Sequence, residues 1–427
     1  DWHPGSEGVV RNLIHPSLFP LIYGRSSFVD KKIKSPEAAL QIKSLRKFPK
    51  DLEQWGVEAN HAYKKSASND ENTEEAEDTF YVPLPSVRRA SKKFCWLPSE
   101  FQVHQDSHVT VESYINNLHP LKYAEFYPVI GNIFSKFVPV LEQVVTDLAH
   151  RRGQRVVPGP YAWFDDSDEP KDYDAEDHNE KYDLWQETRP FIEPQPEPFQ
   201  WPDRPAVPYS LKGRRLQAIV KMSNIILTPE NPVYEGGAWH VEALANERII
   251  ATGLYYYDVD NITESNLKFR EMVDEDEIEH AQDDERGLNL AYGIFENEIG
   301  RVEAKKGRCV VFPNMYQHRV EGFQLKDPKR SGCRKIFAFF FIDPTTRIPS
   351  TEIVPPQQQE WWKEEAMSIG PLRGLPLLVK DGILENVDFP ISLDEAKRLR
   401  LELMEERSSH DIGIGHFFTP DFYFCEH

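Results

Sequence analysis

Continuous and alternating apolar runs characterise the chain from about residue 214 to residue 344. Runs of β-branched and aromatic residues, bounded by Gly, Pro, Asn or Asp, form the segments LQAIVKMSNIIL, WHVEAL, RIIATGLYYYDV, RCVVFP and RKIFAFFFIDP. Such segments predict β-strands, and segments that are apolar on both faces are typical of a closed double layer. No βαβ alternation separates them, so the pattern favours an antiparallel jelly roll within an α+β protein.

Helical spacing of apolar residues is found on both sides of these strands. The clearest case is NIFSKFVPVLEQVVTDLAHRR, within residues 131–152, whose broad apolar face predicts a helix that packs on a core. Pro139 inside this segment predicts a kink or a helix start nearby. Towards the other end of the chain, SLDEAKRLRLELMEER predicts a helix that begins with a capping box of Ser392 and Glu395.

Pattern and composition together divide the chain into four regions. Residues 1–162 are expected to be mainly helical, and residues 208–350 to form the jelly-roll core that carries the functional site. An acidic, proline-rich connection without regular elements, residues 163–207, joins them. An acidic helical insertion at about residues 262–288 interrupts the core, and a helical C-terminal region, residues 351–427, packs on it.

The net charge of −20 limits the partners of this chain. Binding to a phosphate backbone needs a surplus of Lys and Arg, so we expect no nucleic-acid partner, and docking on an anionic membrane is disfavoured for the same reason. No stretch of roughly 18 uncharged apolar residues is present, so we expect no membrane-spanning segment. We expect a small-molecule or peptide substrate, and the sequence leaves the oligomeric state open.

The four cysteines indicate a reducing compartment. Cys95, Cys309, Cys333 and Cys425 form no Cys-x-x-Cys pair and lie far apart in sequence, which argues against a disulfide framework. No signal-peptide pattern is visible. We therefore expect a cytoplasmic location, with the nucleus as the alternative.

The segment YEGGAWHVE carries a candidate metal site. His240 and Glu242 are two residues apart, so in a strand their imidazole and carboxylate face the same side. His318, which follows the strand RCVVFP within PNMYQH, is the best candidate for a third ligand. Two imidazoles and one carboxylate form the facial triad of non-haem Fe(II) oxygenases and leave three metal positions open. A structural Zn²⁺ site would need a fourth ligand, which the sequence does not offer.

An Arg at the start of the next strand is a candidate anchor for an anionic co-substrate. Fe(II) with one carboxylate carries a charge of about +1, so a bound dicarboxylate needs one further positive group. Arg334 can provide this charge through a bidentate pair. Lys221 and Asn224, in the strand before the His-x-Glu pair, are further polar candidates for the co-substrate pocket.

Aromatic residues near the candidate ligands are candidates for the wall of a substrate pocket. Tyr234, Trp239 and Tyr316 lie close to the ligands in sequence, although packing in the core explains such residues equally well. His104 and His108 form a weaker metal pair, because no carboxylate or Cys near them completes a set.

Several of these segments resemble a known family. YEGGAWHVEALANERIIATGLYYYDVDNIT, CVVFPNMYQHRVEGFQL, GCRKIFAFFFIDP and STEIVPPQQQEWW, together with the opening LIHPSLFPLIYGRS, are similar to the fungal family called domain of unknown function 4246. This resemblance covers most of the chain and implies a similarity to the wider 2-oxoglutarate- and Fe(II)-dependent dioxygenases, with a cupin-like double-stranded β-helix core. In that comparison His240, Glu242 and His318 match the metal ligands, and Arg334 matches the Arg that binds 2-oxoglutarate.

Two features depart from the dioxygenase pattern. Glu242 stands where that superfamily more often has Asp, although the longer side chain can still reach a metal. Arg334 lies sixteen residues after His318, which is a long interval. The turn and strand between them could return Arg334 to the side of the metal.

The sequence leads to three hypotheses. The first is a dioxygenase that uses Fe(II), 2-oxoglutarate and O2, with His240, Glu242 and His318 as the catalytic ligand set and hydroxylation as the default reaction. The second is a cupin-like metalloenzyme that binds Zn, Mn or Ni and uses no 2-oxo acid. The third is a non-catalytic interaction protein on the same fold. The acidic insertions favour a cationic or neutral substrate over a nucleic acid.

Overall fold

Two antiparallel β-sheets form the centre of the protein in the computed structural model. The structure describes residues 1–42, 44–50, 89–149, 163–192, 209–242, 244–271, 285–292, 298–368, 373–386 and 390–414. Helices pack on the larger sheet and make up much of the C-terminal part of the chain. The architecture therefore mixes α and β elements, as the apolar pattern predicts. Among the described helices, none combines the length and the apolar character that crossing a membrane requires.

The strands of the described residues are short near the N-terminus and long in the core. They are β1 (Val10–Ile14), β2 (Leu21–Ile22), β3 (Ser27–Phe28), β4 (Arg46–Lys47), β5 (Phe94–Cys95), β6 (Ser99–Val103), β7 (Val109–Val111), β8 (Arg215–Leu227), β9 (Val233–Gly236), β10 (Ile249–Asp260), β11 (Asn266–Arg270), β12 (Glu298–Glu303), β13 (Cys309–Pro313), β14 (Gln317–Gln324) and β15 (Gly332–Ile342). The α-helices are α1 (Phe126–Ala149), α2 (His178–Thr188), α3 (Glu285–Tyr292), α4 (Gln359–Ser368), α5 (Leu377–Glu385) and α6 (Leu393–Ile414).

The core strands alternate between the two sheets. The larger sheet has the order β13-β10-β15-β8-β6-β7, and β1 also pairs with β8. The smaller sheet has the order β12-β11-β14-β9. From β8 onward, β8, β10, β13 and β15 lie in the larger sheet, whereas β9, β11, β12 and β14 lie in the smaller one. Neighbouring strands in both sheets are antiparallel.

A shared apolar core joins the two sheets. Ala338 and Phe340 of β15 belong to the same buried cluster as Leu267 and Phe269 of β11 in the smaller sheet. The alternate residues of β15, including Phe339, belong instead to a cluster with α1. The run IFAFFFI is therefore apolar on both faces because both faces of β15 are buried.

Helix α1 covers the outer face of the larger sheet. The Phe134 ring stacks on Phe101 of β6, with 4.4 Å between centroids, and meets Phe339 edge-on at 5.0 Å. These contacts confirm the predicted amphipathic helix, although it begins at Phe126, earlier than its apolar pattern predicts. Pro139 lies inside α1, where its ring nitrogen has no hydrogen to donate to the preceding turn.

The N-terminal region differs from the mainly helical segment that we expect for residues 1–162. Its described part contains strands β1 to β7 beside α1 and a 3-10 helix. β1 and β6 both pair with β8, and β7 pairs with β6, so these strands extend the core sheet across the expected boundary at residue 208. The free edge of β8 needs partners for its backbone groups, and the pattern of such short strands does not reveal which segment supplies them.

The two acidic segments are partly described. In the connection at 163–207, α2 is a regular helix where we expect none, and it buries no residue. Its sequence has no apolar stripe, so periodicity does not indicate it. In the insertion at 262–288, α3 agrees with the helical expectation, but β11 is a strand of the smaller sheet. Residues 193–207 and 272–284 lie outside the described residues.

Helix α6 follows the predicted capping pattern and packs on the shared core through Ala396, Leu399 and Leu403. The Ser392 hydroxyl oxygen accepts a hydrogen bond from the Glu395 backbone N–H at 3.2 Å, as expected for an N-cap. Arg407 of α6 lies with its guanidinium carbon 3.5 Å from the centroid of the Trp96 ring. The same guanidinium pairs with the buried carboxylate of Glu247 at 2.6 Å. Helix α6 is therefore attached to the loop that connects β9 and β10.

We expect Gly253→Ala to destabilise the protein by roughly 1–3 kcal/mol. A Cβ atom at Gly253 in β10 would lie 2.9 Å from ring carbons of Phe137 in α1 and 3.0 Å from Cε2 of Phe341. Both rings are buried, so the helix or the sheet must shift to admit the methyl group. Urea unfolding followed by circular dichroism measures the change in the free energy of unfolding.

Gly382→Ala in α5 is the matched control for this substitution. A Cβ atom there would meet no heavy atom within 4 Å beyond its own helix, and Ala is the better helix former by roughly 0.5–1 kcal/mol. We expect this variant to be at least as stable as the wild type. Wild-type stability of Gly253→Ala would contradict the close packing of β10 against α1.

Candidate metal centre

Backbone pairing brings the two predicted histidine ligands together. His240 follows β9, and His318 lies in β14, the neighbour of β9 in the smaller sheet. The His240 backbone N–H donates to the His318 carbonyl at 3.2 Å, and the His318 N–H donates to the His240 carbonyl at 2.9 Å. The ring centroids lie 4.4 Å apart. Residues distant in sequence therefore become direct cross-strand neighbours.

Asn314 holds the backbone of the third predicted ligand. The Glu242 N–H donates to Asn314 Oδ1 at 3.0 Å, and the Asn314 amide donates to the Glu242 carbonyl and, at 3.1 Å, to the Ile249 carbonyl. Asn314 is buried, so these hydrogen bonds fix the position of the ligand loop. Sequence reasoning missed this residue. The available signal is a polar residue directly after the apolar strand CVVFP.

The Ala238 carbonyl orients the His240 ring. Nδ1 of His240 lies 2.8 Å from that oxygen. A carbonyl only accepts hydrogen bonds, so the neutral ring is assigned its proton on Nδ1, and the lone pair of Nε2 is available to a cation. A second hydrogen bond of this kind is the usual way in which a protein orients a metal-binding imidazole.

The three side chains converge at a spacing that fits one cation. Oε1 of Glu242 lies 3.7 Å from Nε2 of His240 and 3.6 Å from Nε2 of His318, which is too long for hydrogen bonds. One candidate ligand atom from each residue falls within 4.8 Å of the others. Two ligands that each lie about 2.1 Å from a metal are separated by about 3 Å at a right angle and by about 4 Å when opposed. The donor set therefore fits a divalent metal.

The charges of this set also suit a cation. Burial alone would raise the pKa of Glu242, but the imidazoles of His240 and His318 and the charge of Lys221 hold the pKa of this carboxyl well below its usual range. Burial lowers the pKa of His318, and the charge of His240 adds to this effect. Burial also acts to lower the pKa of His240, but Glu242 and the Ala238 carbonyl outweigh it and raise the pKa.

Arg334 places a buried positive charge between the sheets. It lies on the face of β15 that carries Ala338 and Phe340, and it is 2% exposed. Its Nη2 donates to the Tyr256 hydroxyl at 3.3 Å, and its guanidinium carbon lies 5.0 Å from the Tyr256 ring centroid. Nε has no hydrogen-bond partner. Within the described part of the chain, no carboxylate lies within 4.0 Å of this guanidinium.

The two other polar residues predicted for the co-substrate pocket, Lys221 and Asn224, lie on opposite faces of strand β8. Lys221 and Asn224 are three residues apart in a regular stretch of strand, so they point to opposite faces. Asn224 Oδ1 accepts a hydrogen bond from the Tyr257 hydroxyl at 2.5 Å, on the face that packs with α1. Lys221 shares its face with Ile219 of the shared core. The structure therefore brings Lys221, and not Asn224, to the side of the candidate metal ligands.

Two of the three predicted pocket aromatics remain near the space between the sheets. The Tyr234 ring lies 5.3 Å from that of Phe323. Burial raises the pKa of Tyr234, and the charge of Arg334 opposes this rise. Tyr316 packs against the shared core.

Trp239 lies elsewhere. Its ring is held between two guanidinium groups, with the carbon of Arg270 at 4.8 Å and that of Arg319 at 4.7 Å from the ring. Arg319 follows His318 along β14, so it turns to the opposite face of the smaller sheet. Trp239 therefore packs on the outer face of this sheet, contrary to the expected pocket wall.

Residues 1–365 match the model of a family described as "Protein of unknown function (DUF4246)". The chain belongs to this family. The match confirms the resemblance carried by the motifs around the candidate ligands. In this DUF4246 chain, the matched segment includes every described strand, whereas α5 and α6 follow it. No curated protein matches the chain.

Comparison of the DUF4246 chain with solved structures finds matches of low identity. The Fe(II)/(alpha)ketoglutarate-dependent dioxygenase TqaL is 11% identical, over 64% of this chain and 76% of that chain, with a TM-score of 0.25. IDO from Bacillus thuringiensis is 11% identical, over 30% of this chain and 47% of that chain, with a TM-score of 0.20. Hydroxypropylphosphonic acid epoxidase from S. wedmorenis is 10% identical, over 30% and 50%, with a TM-score of 0.14. The DUF4246 chain thus spans about half the length of the last two.

Proposed function

We propose that this protein is an Fe(II)- and 2-oxoglutarate-dependent oxygenase that oxidises a small molecule or a peptide. The strand pairing supports the double-stranded β-helix on which this proposal rests. β8 pairs with β15, β9 with β14, β10 with β13 and β11 with β12. This pairing makes the core chain one long antiparallel ribbon whose successive segments alternate between two sheets, which supports a jelly-roll arrangement.

One observation carries the proposal. The three candidate metal ligands and the buried guanidinium of Arg334, which has no carboxylate partner among the described residues, belong to the same space between the sheets. A buried charge without a counter-charge is costly, so an anion is expected to complete the site. A dicarboxylate that chelates a metal with one end and pairs with Arg334 at the other satisfies both features. A metalloenzyme that binds no anion would leave the cost of the buried guanidinium uncompensated.

The side chains of the site have separate roles in the proposed reaction. His240, Glu242 and His318 would hold the metal, and Arg334 would bind the distal carboxylate of 2-oxoglutarate. The Tyr256 hydroxyl would keep that guanidinium in position. When bound, Fe(II) with 2-oxoglutarate and O2 supplies the oxidant that removes a hydrogen atom from the substrate. The surrounding apolar core excludes water from the ion pair and so strengthens it.

Formation of succinate tests the proposal. Wild-type protein supplied with Fe(II), ascorbate and 2-oxoglutarate should bind 2-oxoglutarate in a calorimetric titration and convert it slowly to succinate, even without an organic substrate. His240→Ala should form no succinate. Failure of the metal-loaded wild type both to bind 2-oxoglutarate and to form succinate would overturn the proposal.

Tyr256→Phe should weaken 2-oxoglutarate binding by about tenfold. The substitution removes only the hydroxyl that accepts a hydrogen bond from Arg334 at 3.3 Å. A lost hydrogen bond to a charged group corresponds to about 1.5 kcal/mol, which is close to a factor of ten in Kd. Anaerobic calorimetry of the Fe(II)-loaded variant measures this change.

Tyr257→Phe provides the control, since it removes the hydroxyl of the next residue in the same strand. That hydroxyl bonds to Asn224 on the opposite face of the sheet. We expect a wild-type Kd for 2-oxoglutarate in this variant. An equal loss in both variants would show that the effect of Tyr256→Phe does not act through Arg334.

A further inference from the structure

Strand β1 lies beside β8 in a register that sets His15 next to Lys221. Ile14, the last residue of β1, pairs with Met222 of β8. His15 follows Ile14 and Lys221 precedes Met222, so in an antiparallel pair these two residues come side by side. Ile14 and Met222 both pack in the apolar cluster under α1. His15 and Lys221 consequently turn to the opposite face of the larger sheet, towards the smaller sheet.

Electrostatic effects agree with this placement beside the metal ligands. Burial and then the charge of Lys221 hold the pKa of His15 well below its usual range, while Glu242 acts in the opposite direction. Lys221 also contributes to the low pKa of Glu242. His318 faces the same space between the sheets, since its ring centroid lies 4.9 Å from that of Phe312 in the shared core.

His3 extends this cluster. Its ring centroid lies 5.3 Å from that of His15. The side-chain amide of Asn12 lies 3.0 Å from His3 Nδ1, and Asn12 Oδ1 accepts a hydrogen bond from the Ser223 hydroxyl at 3.1 Å. A chain of hydrogen bonds thus connects His3 to the face of β8 that carries Lys221.

Each of the two imidazoles presents an N–H group that no described residue accepts. Nδ1 of His15 accepts a hydrogen bond from the Ser17 N–H at 3.3 Å, and Nδ1 of His3 accepts one from the Asn12 amide. The neutral rings therefore carry their protons on Nε2. Burial, with the charge of Lys221, lowers the pKa of His3 to about 4, so this ring is neutral at pH 7.

Within the described part of the chain, the cluster has donors and no acceptor opposite them. Neither Nε2 atom has a hydrogen-bond partner, and no carboxylate lies within 4.0 Å of the Lys221 ammonium. The His15 side chain is buried as a whole. Its Nε2 atom, however, remains accessible to solvent. An oxyanion is the group that can accept hydrogen bonds from two N–H groups and an ammonium together.

We propose that Lys221, His15 and His3 bind a carboxylate or phosphate group of the organic substrate. This inference rests on the proposed function, which supplies the reaction that the bound substrate would undergo. Arg334 lies opposite Ile225, four residues from Lys221 along β8 and so about 13 Å away. The two cations thus serve two different anions: Arg334 the co-substrate, and Lys221 the substrate.

Titration with inorganic phosphate and with acetate tests this site. The full-length protein is titrated by calorimetry twice. In the metal-free state no metal can bind the added anion, and in the state saturated with Zn²⁺ and 2-oxoglutarate Arg334 is already occupied. We expect saturable binding of at least one anion in both states, and the tighter one identifies the group. Lys221→Met should raise its Kd by at least about tenfold. Lys136→Met, at an exposed position of α1, should leave it unchanged.

Two substitutions of His15 test whether its side chain binds the anion as a hydrogen-bond donor or only fills space. His15→Gln keeps an N–H donor near the position of Nε2 and should retain most of the anion affinity. His15→Leu keeps an apolar volume and removes the donor, so it should lose that affinity by at least about tenfold. Equal affinities of the two variants would contradict the proposed hydrogen bond.

The affinity for 2-oxoglutarate distinguishes this inference from the proposed function. Lys221→Met should bind 2-oxoglutarate within about twofold of the wild type. Two results would overturn the substrate site: a tenfold loss of 2-oxoglutarate affinity in this variant, or a wild-type protein that binds neither phosphate nor acetate. In both cases the oxygenase proposal would still stand. Conversely, wild-type protein that binds phosphate but not 2-oxoglutarate would support the anion site and count against the co-substrate.

Discussion

Glu242→Gln is expected to raise the Kd for Fe(II) by at least about 100-fold, because even residues that only orient metal ligands change metal affinity by about 10- to 100-fold. The amide keeps the shape of the side chain and removes the negative charge that faces both imidazoles at 3.6 and 3.7 Å. The pKa of Glu242 lies well below its usual range, so the ionised form is the one that the substitution removes. Anaerobic competition with a coloured chelator measures the Kd.

Glu125→Gln is the matched control, since Glu125 is an exposed residue just before α1. It should bind Fe(II) with wild-type affinity. Thermal unfolding of both metal-free variants shows whether they are folded. If folded Glu242→Gln bound Fe(II) as tightly as the wild type, the carboxylate would not be a ligand. The site would then be a pair of imidazoles without the facial triad.

Arg334→Met should abolish detectable 2-oxoglutarate binding, with a rise in Kd of at least about 100-fold, or about 2.7 kcal/mol. The substitution keeps a long apolar chain and removes the buried guanidinium. A buried charge without a counter-charge is costly, so the ligand-free variant should be as stable as the wild type or more stable by roughly 1–4 kcal/mol. Calorimetry and urea unfolding measure the two effects on the same sample.

Arg330→Met tests whether the loss of any nearby positive charge has the same effect. Arg330 lies four residues earlier, and its side chain is 60% exposed. Both the 2-oxoglutarate affinity and the stability of this variant should match those of the wild type. If Arg334→Met lost stability but kept its affinity for 2-oxoglutarate, Arg334 would be a structural residue. The cupin-like alternative without a 2-oxo acid would then be preferred.

The placement of buried side chains changes the charge that we expect of the substrate. The acidic insertions favour a cationic or neutral substrate at the level of sequence, whereas the donors of Lys221, His15 and His3 favour an anionic one. Surface segments and cavities differ in this respect because water screens an exposed charge and does not reach a buried one to the same extent.

Features that depend on near neighbours in the sequence could be predicted without the structure. Four of the five apolar runs predicted strands of the larger sheet, β8, β10, β13 and β15, because β-branched and aromatic runs favour strands. The fifth prediction was wrong, since the described residues of WHVEAL form no strand. His240 and Glu242 do converge with His318, but not through the predicted strand geometry. β9 ends at Gly236, His240 forms only an isolated bridge to His318, and Asn314 holds the Glu242 backbone. The motifs around these ligands also identified the family. Helix α1 was predicted in the same way, because its apolar stripe lies within one segment.

Features that depend on which strand lies beside which were decided only by the tertiary structure. Strands β1 and β6 complete the sheet at β8, which brings His15 beside Lys221. The faces of β8 and β14 separate Lys221 from Asn224 and turn Trp239 away from the metal ligands. The physical reason is that strand register is set by backbone hydrogen bonds between distant segments. Single-sequence periodicity contains no information about those distant partners.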